Sequence, residues 1–251
     1  MKKQIHTVPV VEALHSGDEC PFCYLHRQSQ QRAIRYFAGP GASYMEPEVR
    51  GITNDTGFCP AHTQALYDYG NALGSALMLQ THMESLMLQL QQARSQHQPP
   101  AKKGLFQKKK APEQEESYAQ QLQSQIPRCA ICDKVEESMH QQYRVFFDLT
   151  KEAEFRQMVE NSKGFCFVHF QKLLALAPEH LPASQESWFY DTVYRVMEDN
   201  LRRVKQDLDH LIRKFDYRNS DAPWGNSKDA LQRTMQKLSG IYPADGPYRK
   251  E

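Results

Sequence analysis

Nothing in this 251-residue chain approaches the run of about eighteen apolar residues that a bilayer-spanning helix needs. The first twenty residues, MKKQIHTVPVVEALHSGDEC, carry two lysines but no apolar core and no small-residue cleavage site. They do not read as a secretory leader, and the cytoplasm is the expected compartment. Charge of one sign is also missing: 31 Lys and Arg stand against 30 Asp and Glu, a formal +1. Such a balance creates no global field to gather nucleic acid or an anionic membrane. There is no glycine-rich phosphate loop, no nucleophile elbow and no HExxH, so the sequence leaves open whether the protein is an enzyme.

What is present is concentrated in cysteine. There are only six, and all fall into two copies of one pattern, CPFC then GFCPAH, and CAIC then GFCFVH. Read in chain order, the copies give Cys20, Cys23, Cys59 with His62, and Cys129, Cys132, Cys166 with His169. Three thiols and one imidazole make the donor set and count that a closed tetrahedral zinc site takes, so two zinc sites are expected, one per copy. In a reducing compartment paired CxxC motifs hold metal or do redox work more often than they form stable disulfides.

The repetition extends beyond the ligands. Arg35 and Arg144 each follow the first cysteine of their copy by fifteen residues, and Phe37 and Phe146 stand two further on. Glu48 and Arg50 match Glu154 and Arg156 ahead of each Gly-Phe-Cys turn. The first cysteines are 109 positions apart and the last histidines 107. A period this long favours two similar lobes over a solenoid of short units.

Low mean hydropathy, −0.71, with many Gln, Lys, Glu and Arg fits a helix-rich chain. From Ala65 to Arg94, apolar residues recur every three or four positions (Leu66, Tyr69, Leu73, Ala76, Met83, Leu86, Met87, Leu90), predicting one long amphipathic helix. The second half predicts helices near 132–150 and 152–161, a third carrying His169 to Leu176 and interrupted by Pro178 and Pro182, and a long one over 187–215. Ser227 is the expected N-cap of a closing helix that reaches Leu238. The fold class expected is therefore all-α: two helical lobes from an internal duplication, 1–95 and 118–251, each clamped by a three-Cys one-His site. A Lys, Glu and Pro-rich connector spans 96–117. Its lysines, Lys102, Lys103, Lys108, Lys109 and Lys110, are offset by Glu113, Glu115 and Glu116, which reads as a self-compensating linker rather than a phosphate-binding patch.

Three competing chemistries suit the same residues, one of them a reactive zinc-bound thiolate or metal-activated water with His62 or His169 as the ligand that leaves. An iron–sulfur cluster takes cysteine ligands with a histidine replacement. Thiol–disulfide exchange often uses a CxxC containing proline, as CPFC does, although no βαβ pattern surrounds it and CAIC lacks the proline. The apolar seams pack within the lobes or join two copies of the chain. The tail residues Asp216, Arg218, Asp221, Lys228, Asp229 and Arg233 near Trp224 read as a capped, solvated helix, with a charged-ligand pocket as the sharper alternative. His26, His82, His140 and His210 read as surface or hydrogen-bonded side chains rather than ligands.

CPFC, GFCPAH, GFCFVH and the tail FDYRNSDAPWGNSKDA together resemble an uncharacterised bacterial family, a domain of unknown function with duplicated CxxC and GFCxxH elements. The resemblance implies a cytoplasmic helical protein with cysteine sites and supplies no activity. The expected role is a metal-stabilised binding or scaffold protein for an unknown protein or small ligand, with a thiol- or metal-dependent oxidoreductase as the alternative.

Overall fold

The computed structural model describes residues 5–41, 43–96, 128–219 and 221–243, apart from the side chains of Ala93 and Gln96. Within them the regular structure is helical, with no strand. In chain order the α-helices are α1 (Val8–His15), α2 (Pro21–Ala38), α3 (Pro47–Thr56), α4 (Pro60–Tyr69), α5 (Ala72–Gln96), α6 (Ala130–Leu149), α7 (Ala153–Glu160), α8 (Phe167–His180), α9 (Glu186–Lys214) and α10 (Ala230–Ser239). No helix among the described residues is long and apolar enough to cross a membrane. Apart from Gln96, the connector expected over 96–117 lies outside the described residues, as do its lysines.

Proline and glycine set several boundaries. Pro21, Pro47 and Pro60 each open a helix, where the missing N–H is one that the helix leaves unpaired anyway. The single helix expected over 65–94 is instead α4 and α5. Gly70 closes α4 in the left-handed region at φ 82°, and the Asn71 side chain accepts the Gly74 N–H at 3.0 Å to start the next helix. The regular apolar spacing concealed this break, because it continues in phase across it. α8 runs through Pro178 to His180, since a proline in the last turn removes one i→i−4 bond and leaves the rest intact. The closing helix takes Asp229, not Ser227, as its N-cap; Ser227 Oγ donates to the Trp224 carbonyl at 2.6 Å.

The described residues divide into two compact units. One takes the chain up to Gln30 and again from Val135; the other runs from Gln31 to Lys134. The boundary falls inside α2 and inside α6, so each CxxC helix starts in one unit and ends in the other. In the first unit the core is an aromatic cluster. Phe22 stacks on Tyr143 with ring centroids 4.5 Å apart and meets Phe146 at 5.4 Å and Phe165 at 6.1 Å, while Phe155 closes on Phe146 at 5.4 Å. Phe189, Val193, Val196 and Val204 from α9 complete it, whereas Phe215, expected on the same stripe, is 85% exposed. In the second unit α3 packs on α5, and Ile34, Phe37, Val49, Leu66, Met78 and Ile131 are buried.

One contact recurs in both units. Phe37 and Phe58 meet edge-to-face at 6.1 Å and 81°, and Phe146 and Phe165 meet with the same two values. Each pair sets the turn before a CxxH cysteine against the distal part of a CxxC helix.

Candidate metal centres

Both Gly-Phe-Cys turns depend on a glycine. Gly57 has φ 60° with ψ −150°, and Gly164 has φ 75°, backbone that a side chain strains. A Cβ at Gly57 would also stand 2.4 Å from the His82 Nε2. The turn delivers Cys59 as N-cap of α4 and Cys166 as N-cap of α8, with His62 and His169 in the first turn of each helix. A thiolate there faces unpaired amides and the positive end of the helix dipole. At Cys166 this is explicit, because its Sγ accepts the His169 backbone N–H at 3.5 Å.

The eight ligands expected from the sequence do gather into two quartets, but with exchanged partners. In the first unit Cys20, Cys23, Cys166 and His169 converge; in the second, Cys59, His62, Cys129 and Cys132 converge. In each group the donor atoms all lie within 4.8 Å of one another, and such a group can hold a metal ion. The sequential quartets, Cys20, Cys23, Cys59 and His62, and Cys129, Cys132, Cys166 and His169, are therefore corrected: each CxxC takes the CxxH of the opposite half. The reason is helix length. α2 carries the chain roughly 27 Å between Pro21 and Ala38, and the turn before Cys59 rests on Phe37, near its distal end. α6 does the same between Ala130 and Leu149, with the turn before Cys166 resting on Phe146.

The first quartet is deeply enclosed. Cys20, Cys23 and Cys166 are 0%, 2% and 0% exposed. The His169 Nδ1 stands 3.5 Å from the Cys20 Sγ, 3.5 Å from the Cys23 Sγ and 3.1 Å from the Cys166 Sγ. Phe22 lies along the imidazole at 5.9 Å between centroids. The carbonyl of Gly240, the left-handed residue that ends α10, accepts from the Cys23 thiol at 3.3 Å. α10 reaches deeper still through Lys237, which is 1% exposed. Its ammonium donates to the carbonyls of Glu19, Lys163 and Phe165, two of them immediately preceding Cys20 and Cys166, and lies 3.3 Å from the Glu19 carboxylate. Burial pushes the Lys237 pKa down, opposed by Glu19. Arg203 pairs with the same carboxylate. Burial also works against the charge of Arg233, but Asp207 and Asp229, at 2.9 and 2.8 Å, outweigh it and hold its pKa above the usual value.

The second quartet is more open: Cys132 is exposed and Cys59 half-buried, with Cys129 and His62 buried. The His62 Nδ1 lies 3.3 Å from the Sγ of Cys59, of Cys129 and of Cys132. The Ala130 N–H donates to the Gly57 carbonyl at 3.1 Å and ties the CxxC to the turn. Pro21, which follows the first cysteine of the other CxxC, has no N–H to give. His82, read from the sequence as a hydrogen-bonded side chain, donates from Nδ1 to the Asn54 carbonyl at 2.7 Å, in the last turn of α3.

Packing three thiols against an imidazole shifts their proton affinities. Hydrogen bonding to Cys166, and then to Cys20, with burial, drives the Cys23 pKa far up. Hydrogen bonds from Cys20 and Cys23 hold Cys166 far down, as a thiolate. Burial opposes a charge on His169, yet its hydrogen bonds to Cys166 and Cys20 win and raise its pKa to about 10. Cys132 is pushed up to about 12 by burial, then by Cys129 and Cys59. Burial and the neighbouring thiols also push the Tyr143 phenol up.

Sequence reasoning missed Glu19, Arg203, Lys237 and Gly240. Arg233 and Lys237 stand four residues apart on one face of α10, a signal that resembles an ordinary solvated stripe. Among the tail charges, Asp216 is held by Arg218 and its pKa lowered, while Lys214 donates to the Asn219 and Ala222 carbonyls and lies 5.1 Å from the Trp224 ring.

The chain belongs to the family described as "Family of unknown function (DUF6062)", whose model matches residues 1–245. No curated protein and no solved structure matches it.

Proposed function

We propose that this family member is a two-zinc protein in which the ions are structural and the helical framework they hold serves as a binding or scaffold module in the cytoplasm. One observation supports the reading: in each quartet the three S···N edges and one S···S edge are close to those of a tetrahedron around one ion. Zinc bonds of about 2.3 Å to sulfur and 2.0–2.1 Å to nitrogen imply S···S edges of about 3.8 Å and S···N edges of about 3.5 Å. The Cys23–Cys166 and Cys59–Cys132 edges are 3.6 and 3.9 Å, and the S···N edges run from 3.1 to 3.5 Å. An iron–sulfur cluster hangs its ligands on several irons and needs them farther apart, so these edges favour a single ion.

Four protein donors leave no corner for water or substrate, which favours a structural over a catalytic ion. When bound, the ion ties a CxxC helix to a CxxH helix, and its binding free energy becomes folding free energy. Pro21 supports the same reading, since it opens α2 and is accounted for by helix initiation without redox chemistry. The six unbridged cysteines suit a reducing compartment. A binding role is supported by apolar side chains left exposed on α5, namely Leu73, Met83, Met87 and Leu88. Metal analysis with X-ray absorption on the purified chain tests the proposal: two zinc ions per chain, each with three sulfurs and one nitrogen, are expected. Metal-free folded protein, or a visible iron chromophore, would refute it.

A further inference from the structure

We propose that Cys132 is a modification site at which a hydroperoxide attacks this protein, and that the attack discharges the ion of the second unit while the first unit keeps its own. This deepens the two-zinc reading and rests on it.

The two quartets share a donor set and differ in access. In the first, the three sulfurs are 2% exposed or less, Gly240 seals Cys23, and a Cβ on Gly240 would lie 3.5 Å from the Cys166 Sγ. Among the described residues these sulfurs are shielded from a hydroperoxide while the unit is folded. In the second, Cys132 is exposed, and nothing equivalent to α10 caps it among the described residues. The Cys59 Sγ, half-buried, lies 3.9 Å away and supplies a second thiol within reach. An accessible thiolate with a neighbouring resolving cysteine is the arrangement that oxidises selectively and reversibly.

The step balances as follows. The Cys132 thiolate attacks the terminal oxygen of the hydroperoxide, the O–O bond breaks, and hydroxide (from hydrogen peroxide) or an alkoxide (from an organic hydroperoxide) leaves, giving a sulfenic acid at Cys132. The Cys59 thiolate then attacks that sulfur, the S–O bond breaks, hydroxide leaves, and a Cys59–Cys132 disulfide forms. The two sulfurs give up two electrons, both taken by the peroxide. The ion loses two of its four donors, and His62 with Cys129 alone do not close a tetrahedral site.

The test uses the full chain loaded with two zinc ions, hydrogen peroxide as the probe, a chromophoric chelator to count released zinc, and peptide mass mapping of the cysteines. One ion of the two is expected to be released, with a Cys59–Cys132 bridge, and thiol reductant with zinc restores it. Cys132→His keeps a fourth donor without the thiol, and is expected to hold both ions under the same treatment. Loss of both ions together, loss of neither, or oxidation at Cys20, Cys23 or Cys166 would overturn the proposal. A Cys129–Cys132 bridge would overturn the role of Cys59. Mapping of the native chain decides these outcomes even if Cys132→His loads poorly. A chain that carries no zinc before oxidation counts against the two-zinc reading instead.

Discussion

Cys23 and Cys166, 143 residues apart in the chain, bring their Sγ atoms to 3.6 Å. That proximity assigns each CxxC to the CxxH of the other half, and it makes the pairing measurable by counting ions. Cys23→Ser is expected to leave one zinc per chain, and Cys23→Ser with Cys166→Ser still one, because both remove corners of the same site. Cys23→Ser with Cys59→Ser is expected to leave none. Mass spectrometry under native conditions reads all three; sequential pairing would reverse the two double variants.

Proton competition makes metal affinity depend on pH. His169, raised to about 10, and Cys132, raised to about 12, hold protons at neutral pH that an incoming ion displaces. Affinity therefore falls as pH falls, by about tenfold per pH unit for each proton displaced. In the metal-free chain the His169 contribution has the opposite sign, while the Cys166 thiol, held far down, contributes stability that is lost as pH falls. A histidine whose folded pKa exceeds its ordinary value contributes stability that is whole below about 6.5 and lost as pH rises through about 10. Calorimetry in buffers of different ionisation enthalpy checks the first expectation, and alkaline melting of the metal-free protein the second.

Lys237→Met removes the cation that Glu19 and three carbonyls face. The side chain keeps its length but leaves a buried carboxylate short of a partner, and the expected cost is about 3–5 kcal/mol. Because two of those carbonyls precede Cys20 and Cys166, metal affinity at that site is expected to drop roughly 10–100-fold while the other site holds. Chemical denaturation and competition with a chelator separate the two effects. Equal weakening of both sites would contradict a local role.

Phe37→Ala and Phe146→Ala each remove a buried ring and are expected to cost about 3–5 kcal/mol. Their effects on metal should diverge. Phe37 supports Phe58 and the Cys59 turn, so its loss is expected to loosen the second site; Phe146 supports Phe165 and the Cys166 turn, so its loss loosens the first. Chelator-dependent release rates of the two ions are the measurement.

Gly57→Ala forces a Cβ into backbone that only glycine adopts at ease, about 1–3 kcal/mol of strain, and onto His82. Removing the obstacle with His82→Ala is expected to restore only part of the loss, since the φ of 60° remains. Full rescue in the double variant would show that contact, rather than backbone strain, sets the requirement for glycine.

Much of this was legible along the chain because it depends on local chemistry. Two CxxC and two CxxH elements fix the donors, Gly57 and Gly164 fix the turns, and the apolar period fixes the helices, each within a few neighbouring residues. The break at Gly70 could have been read from the Gly-Asn pair alone, since a left-handed terminator followed by a capping amide is itself a local signal.

Partner choice was not local. Both CxxH elements present the same thiol and the same imidazole, so nothing in either motif says which CxxC it will meet, and nearness in sequence pointed to the wrong one. The decision falls to rigid helices that carry the chain away from each cysteine pair before the next turn forms, and to Phe37 and Phe146, which anchor those turns far along the helices. In the same way only the folded chain could bring Lys237 and Gly240 against Cys20, Cys23 and Cys166, burying one centre and leaving Cys132 of the other open to solvent. Residue type determined which atoms can bind an ion; helix length and packing determined which of them do so together.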